Sequence, residues 1–267
     1  MVYFRLMRIF VTMRSKLKIP KTDYSQIADY YDKVRAPLAD IWISKIIEYG
    51  KINENSTVLD VGCGTGRVSE AISTSKNAKV YSIDVSAEML KKGAVKDKDR
   101  RILWVLGDAH RLPFIENCFD CAYMTLVLHH LDNKTLALQE IHRALKKDGN
   151  CVIMTASHSR LKRHVISNFP GIITIDMKRF PSIPSIKNLM VKIGFRNVHS
   201  HVVKHDYGSL SIAELINRVR NKYISTLTLL SEEQFRKGLK IFEEKVKNKY
   251  GDQIRWITEF NFVVGQK

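Results

Sequence analysis

A doubly wound α/β fold with a mostly parallel sheet is what the 267-residue chain predicts, and three observations predict it. A strand-like run, 57–61, feeds a turn carrying Gly62, Gly64 and Gly66, and a helical pattern opens at about Arg67. Five apolar, β-rich runs alternate with helix patterns through residues 51–156, at the spacing of right-handed crossovers. Asp60, Asp84 and Asp108 stand at the ends of the first three strands, the edge where open α/β sheets bind ligands.

Composition narrows the class. Hydrophobic content of 45% and charged content of 27% are those of a globular protein with room for one large core. No run of about 18 apolar residues is present, so a membrane-spanning helix is not expected. Residues 1–21 read as a basic tail: the apolar start is broken by Arg5 and Arg8 and lacks a small-residue cleavage site, and Met13 is an alternative start. Four cysteines do not make a disulfide framework. Cys118 and Cys121 fall in a predicted strand, where residues three apart face opposite sides, so a shared metal is not expected. Reduced thiols point to a cytoplasmic setting. Of the formal net charge of +17, residues 151–267 carry +11. Such an excess could draw nucleic acid or an anionic membrane surface. The lysines are scattered among acids rather than blocked, which favours a solvated surface.

The glycine spacing carries the chemistry. A dinucleotide turn takes G-x-G-x-x-G, whereas here Asp60 stands two residues before Gly62-x-Gly64-x-Gly66. An acid there repels a pyrophosphate and can hold a cationic amino group. The sequence D-V-G-C-G-T-G resembles the first motif of class I S-adenosylmethionine-dependent methyltransferases. The resemblance implies a cofactor, S-adenosylmethionine (product S-adenosylhomocysteine), whose methionine part is wrapped by Asp60, Gly62, Cys63, Gly64, Thr65 and Gly66. It implies no metal.

The following elements extend that reading. A short run, 79–85, ends in Asp84, which can accept both hydroxyls of a ribose; Ser86 is an N-cap with Glu88 in the first turn. Met89, one turn into the helix, reads as an adenine contact or equally as a core residue, and Val85 is a further cofactor-binding candidate. A third strand, 102–106, leads to Gly107, Asp108 and Ala109, and the resemblance gives Asp108 and the next backbone N–H the recognition of the base. The finish Leu112-Pro113-Phe114 matches too. The nearly continuous apolar run 118–128 reads as a central parallel strand, with Leu126 near its end as a cofactor-binding candidate. It opens into His129-His130-Leu131, where family members often carry L-H-H-L, making His129 and His130 candidates for base or substrate contact.

Residues 22–50 read as two helices hinged at Pro37, with Ile41, Ile43, Ile46 and Ile47 on the second and Gly50 as its stop. In the resembled family such a segment folds over the cofactor as a lid, with Tyr31 and Arg35 as contributors. A helix over 134–146 stops at Asp148-Gly149, and a fifth strand covers 151–155. Residues 157–187 read as basic and loop-rich. A short helix, 186–195, ends at Gly194; alternating runs over 196–205 and 253–266 would be the antiparallel pair closing a seven-stranded, Rossmann-like methyltransferase sheet. Between them, 206–252 reads as a helical insertion (helices about 211–225 and 231–249) forming a substrate cap, with Tyr207, Arg218, Arg220 and Tyr223 facing the pocket. The domain thus spans 22–267, with its cofactor-binding core at 51–156.

Methyl transfer from a sulfonium asks the protein mainly for alignment, which can supply about 7–11 kcal/mol. The reading is a methyltransferase acting on a small molecule or lipid precursor, similar to the ubiquinone and menaquinone biosynthesis type. An RNA or protein methyltransferase is the alternative suggested by charge. Against it, Tyr123-Met124-Thr125-Leu126 stands where amino-directed nucleic-acid enzymes carry N/D-P-P-Y/F. A non-catalytic S-adenosylmethionine- or nucleotide-binding protein is a further alternative. Glycine spacing and Asp60 oppose an NAD oxidoreductase.

Overall fold

The computed structural model describes residues 39–267, so the tail at 1–21, the first lid helix, Tyr31 and Arg35 lie outside the described residues. Helix α1 (Asp40–Gly50) buries Trp42, Ile46 and Gly50, one face at four-residue spacing, and Gly50 passes so close to Cys121 that a Cβ would lie 2.7 Å from its sulfur. Then follow β1 (Thr57–Val61), α2 (Arg67–Lys76), β2 (Lys79–Asp84), α3 (Ala87–Lys96), β3 (Ile102–Leu106) and β4 (Phe119–Thr125). They are followed by α4 (Lys134–Ala144), β5 (Leu145–Thr155), α5 (His158–Arg163), α6 (Ile172–Arg179) and α7 (Ile183–Ile193). The chain ends with β6 (Arg196–Ser211), α8 (Ile212–Arg220), α9 (Glu232–Tyr250) and β7 (Gln253–Gln266).

The seven strands lie in the order β3-β2-β1-β4-β5-β7-β6. Neighbours from β3 to β5 pair in parallel, while β7 pairs antiparallel with both β5 and β6. The order reverses between β1 and β4. The connections leaving their carboxyl ends run to opposite sides of the sheet order, β1 towards β2 and β4 towards β5, and such a reversal leaves a crevice. Leu59, Val61, Ile83, Ala122, Met124 and Ile153 bury one side of the sheet against α4 and α7; Trp42, Ile46, Val58, Ile72, Val80 and Phe262 bury the other. The insertion has its own core, in which Phe169, Leu215, Phe242 and Trp256 meet.

Several boundaries differ from the sequence reading. β4 stops at Thr125 because Leu126 takes a left-handed turn (φ 58°), and Leu128–His130 is one 3₁₀ turn. α4 stops at Ala144: Leu145 already pairs with Phe119, and the register then shifts before Cys121 meets Asn150. Asp148 (φ 65°) and Gly149 therefore belong to an irregularity in β5 rather than to a helix stop, and a Cβ on Gly149 would press on the carbonyls of Phe119 and Asp120 at 3.1 Å. The stretch read as loop after β5 is largely helical: α5, a 3₁₀ turn at Val165–Asn168, and α6. α7 starts at Ile183 because Ser182 caps it, accepting from Ser185 N–H, with Pro184 in its first turn. Likewise β6 runs on to Ser211, and the first helix of the insertion closes at Arg220, before a 3₁₀ turn at Ser225–Leu229.

One contact ties the turn after β1 to its neighbours. The Trp104 indole on β3 fills the space beside Gly66 and Gly93, where a Cβ would stand 2.2 and 2.3 Å from the ring, and its Nε1–H donates to Asp97 at 3.2 Å.

Candidate functional site: two cavities with a shared wall

Two adjoining cavities open at the carboxyl edge of the sheet. The larger, about 400 Å³, is bounded by the glycine turn at Gly62 and Gly64, by Asp84, Val85 and Met89, and by Ala109 and His110. The smaller, about 220 Å³, lies under the insertion among Trp42, Arg160, Tyr207, Tyr223, Trp256 and Phe260. Leu126, His129 and His130 line both.

The turn is built for close approach. Gly62, Gly64 and Gly66 all have positive φ (74°, 56° and 72°), a region glycine enters without strain. A Cβ at Gly62 would strike Val127 at 2.6 Å, whereas one at Gly64 would meet nothing within 4 Å; at Gly64 the turn faces open cavity. Asp84 anchors the turn from β2, with Oδ2 accepting from Gly64 N–H at 2.8 Å and Oδ1 from Ser86 N–H at 2.9 Å. Burial raises its carboxyl above the usual range, and those backbone N–H groups offset part of the rise. A carboxylate has about four lone-pair positions, so two acceptor positions remain.

Asp60 lies one layer deeper and lines neither cavity. Its Oδ2 accepts from Ser69 Oγ–H at 2.6 Å and from Tyr123 O–H at 2.9 Å, while Oδ1 is buried without a hydrogen-bond partner. Burial pushes its carboxyl up to about 7; the two hydroxyls pull it down, and the Asp84 charge adds to the rise. In the unfolded chain an aspartate titrates near about 3.9. The folded protein therefore holds an extra proton between about pH 4 and 7, and the stability from this site, full below pH 4, is lost as pH rises through 7. Asparagine keeps the shape without the charge. The melting-temperature advantage of Asp60→Asn over the parent should thus grow from pH 5 to pH 8, by differential scanning fluorimetry; parallel pH curves would contradict it.

Other residues of the motif sit behind the turn. Thr65 is buried, Gly66 caps α2, and the Cys63 thiol is pushed well up by burial; none of the three lines a cavity. Met89 is buried at the floor of the larger cavity and Val85, 70% exposed, at its rim. Asp108 turns away from it: its Oδ1 accepts from His110 N–H and from His110 Nδ1–H at 2.6 Å. Asn133 N–H donates to the other ring nitrogen, which fixes the proton of the neutral ring on Nδ1. His110 thus lines the cavity where the sequence reading placed the Asp108 carboxylate.

On the shared wall, His129 stacks on Phe180 at 3.8 Å and His130 packs beside it at 4.1 Å. Arg179, at the end of α6, reaches His130 Nδ1 at 3.0 Å and donates to Thr226 Oγ1 at 3.0 Å; Thr226 in turn donates to the buried Asp176. A guanidinium only donates, so His130 Nδ1 accepts and the neutral ring carries its proton on Nε2. Sequence reading missed Arg179 because it treated 157–187 as loop; the basic pair Lys178-Arg179 ending a helix was the available signal.

Among the insertion residues, Tyr207 and Tyr223 line the smaller cavity, and Tyr207 O–H accepts from Trp42 Nε1–H at 3.0 Å. Arg218 and Arg220 do not. Arg218 bonds Glu214 and lies over the outside of Trp256's ring at 5.8 Å, and Arg220 pairs with Glu243 at 2.8 Å. Their i, i+4 and interhelical acid partners account for the difference from the expectation that they face the pocket. Among the described residues no group of three His, Cys, Asp or Glu could hold a metal ion, and no helix is long and apolar enough to cross a membrane.

Residues 59–153 match a family model described as a methyltransferase domain. The chain is 26% identical over 213 residues to the ubiquinone/menaquinone biosynthesis C-methyltransferase of Blochmanniella pennsylvanica, covering 68% of this chain and 84% of that protein. Its fold is similar to that of a protein named for a methyltransferase role in antibiotic biosynthesis in Anabaena variabilis, with TM-score 0.69, 20% identity, and coverage of 87% and 98%. It is also similar to a Haemonchus contortus phosphoethanolamine N-methyltransferase solved with its phosphomonomethylethanolamine and S-adenosylhomocysteine, with TM-score 0.59, 18% identity, and coverage of 91% and 57%.

Proposed function

We propose that this chain is a class I S-adenosylmethionine-dependent methyltransferase acting on a small molecule, with the cofactor in the larger cavity and the acceptor in the smaller one; its likeness to a methyltransferase domain and to a quinone-biosynthesis C-methyltransferase supports the reading. The observation that carries this division is the shared wall of Leu126, His129 and His130, beside the glycine turn. The donors fit the cofactor. Gly64 leaves a cradle that any side chain would fill, Asp84 has acceptor capacity left for a ribose, and Asp60, once it loses its proton above about pH 7, adds negative charge beneath the turn that favours a cationic amino group. When bound, the cofactor supplies a methyl group on a positively charged sulfur, which becomes a neutral thioether as the acceptor takes the methyl.

The chain's own contribution is alignment and the exclusion of water. Phe180 and His129 stack to close one side of the junction, and Leu126 closes another. His130, with its Nδ1 engaged by Arg179, offers an Nε2–H donor there rather than a base. Arg179→Met should release Nδ1 and with it the tautomer that keeps the proton on Nε2. Turnover at neutral pH should fall about ten-fold, the scale of one lost hydrogen bond. Unchanged turnover would exclude the donor role.

The division is tested by titrating the protein with S-adenosylhomocysteine, then incubating it with labelled S-adenosylmethionine and cell extract and fractionating the label. Label in the small-molecule or lipid fraction is expected. Label in RNA or protein, or no binding of S-adenosylhomocysteine, would overturn the reading.

A further inference from the structure

We propose that the acceptor is a planar aromatic molecule carrying an anionic acid group, seated in the smaller cavity with its acid paired to Arg160. The inference rests on the assignment of that cavity to the acceptor, and deepens it.

The body of the molecule follows from the walls. Trp42, Tyr207, Tyr223, Trp256 and Phe260 bring rings from α1, β6, the insertion and β7 to one space of about 220 Å³. That is below the roughly 300–1,000 Å³ of drug-sized sites, so a one- or two-ring acceptor suits it. Flat apolar walls favour flat apolar ligands, through offset or edge-to-face contact.

The charge follows from Arg160. Its guanidinium enters the cavity from α5, over the Phe260 ring at 5.6 Å, and its Nε is shut off from solvent without a hydrogen-bond partner. The acids near it are already engaged. Asp176 accepts from Thr226 and lies 4.0 Å from Arg179, and Glu259 pairs with Arg163 at 3.0 Å and Lys204 at 3.5 Å. Among the described residues Arg160 forms an ion pair with none of them. Burial lowers its affinity for the proton, and burial together with the Arg160 charge holds the neighbouring His164 neutral; the other cation on the lining is Arg67, at the start of α2. A buried cation beside aromatic rings, with an idle donor, is a poor host for an amine and a good one for a planar acid, which a guanidinium can bind through two parallel N–H groups.

Three indole compounds that differ only in charge make the test: indole-3-acetate, its neutral amide indole-3-acetamide, and the amine tryptamine. Each is titrated calorimetrically into the protein saturated with S-adenosylhomocysteine. The acetate should bind at least about ten-fold tighter than the amide, the scale of one hydrogen bond to a charged group, and tryptamine weakest. Arg160→Gln should erase the acid preference and Arg160→Lys should keep part of it. Equal binding of acetate and amide by the parent protein, preference for tryptamine, or an acid preference that survives Arg160→Gln would overturn the proposal. Parent-protein results stand whether or not the variants fold, and binding of S-adenosylhomocysteine reports folding of each variant. Loss of S-adenosylhomocysteine binding by the parent protein would instead strike the cofactor assignment, so the two failures are separable.

Discussion

Gly64→Val is expected to remove cofactor binding and leave the sheet folded. Position 64 has φ 56°, so a β-branched residue there costs about 1–2 kcal/mol of backbone strain, a loss of a few degrees in melting temperature. Nothing inside the protein obstructs it, since a Cβ would meet no heavy atom within 4 Å. The isopropyl group would project into the larger cavity beside Asp84, where the turn and a ligand must come within van der Waals contact. S-adenosylhomocysteine affinity should fall at least about a hundred-fold, as for a blocked near-contact worth about 3 kcal/mol or more. Neighbouring glycines supply the contrast. Valine at position 62 would drive into Val127, and at 66 into Trp104, so those variants should lose stability first. A Gly64→Val protein that still binds S-adenosylhomocysteine tightly would mean that the cofactor does not approach this turn.

Asp84→Ala is the second large effect. The carboxylate holds Gly64 N–H and Ser86 N–H in the turn, and its remaining acceptor capacity is what the proposed cofactor site assigns to a ribose. Losing hydrogen bonds to a charged group should weaken S-adenosylhomocysteine binding by about 1.5–3 kcal/mol, or roughly ten- to a hundred-and-fifty-fold. Two backbone donors also lose their acceptor, so the stability of the turn should fall in the absence of any ligand. Asp84→Asn separates the two effects. Its one carbonyl oxygen can replace only one backbone acceptor, and it carries no charge, so affinity should fall while stability drops less. Calorimetry on both variants decides, and unchanged affinity in Asp84→Ala would show that the ribose does not lie there.

What the sequence discloses depends on distance along the chain. Gly62, Gly64, Gly66 and Asp84 are readable because a strand end, its turn and the next helix form one local unit whose spacing is fixed by backbone geometry. Seven strands and the closing antiparallel pair are readable for a similar reason, since each strand bears its own period. The smaller cavity is different. Trp42 and Tyr207 share a hydrogen bond across 165 positions, and Arg160 meets Phe260 across a further hundred, so no window of sequence contains the site. Local chemistry misled at Asp108, which found a nearer partner in His110, and at Arg218 and Arg220, which found acids on α8 and α9. An acid or base read in isolation is assigned to the ligand by default; in the folded chain a partner two or four residues away, or on the next helix, claims it first. Thr125 shows the limit for elements too. The run 118–128 is nearly continuous in apolar residues, and nothing in its composition marks the residue at which it leaves the sheet.

The indole that fills the space beside Gly66 and Gly93 has a consequence for descent. Neither glycine can acquire even a methyl group while that ring stands at position 104, and a smaller residue at 104 would leave a void against both. These three positions therefore cannot drift separately. Lineages of this protein are expected to change them as a set or to keep all three, and a lone alanine at 66 or 93 marks a chain in which the ring has already gone.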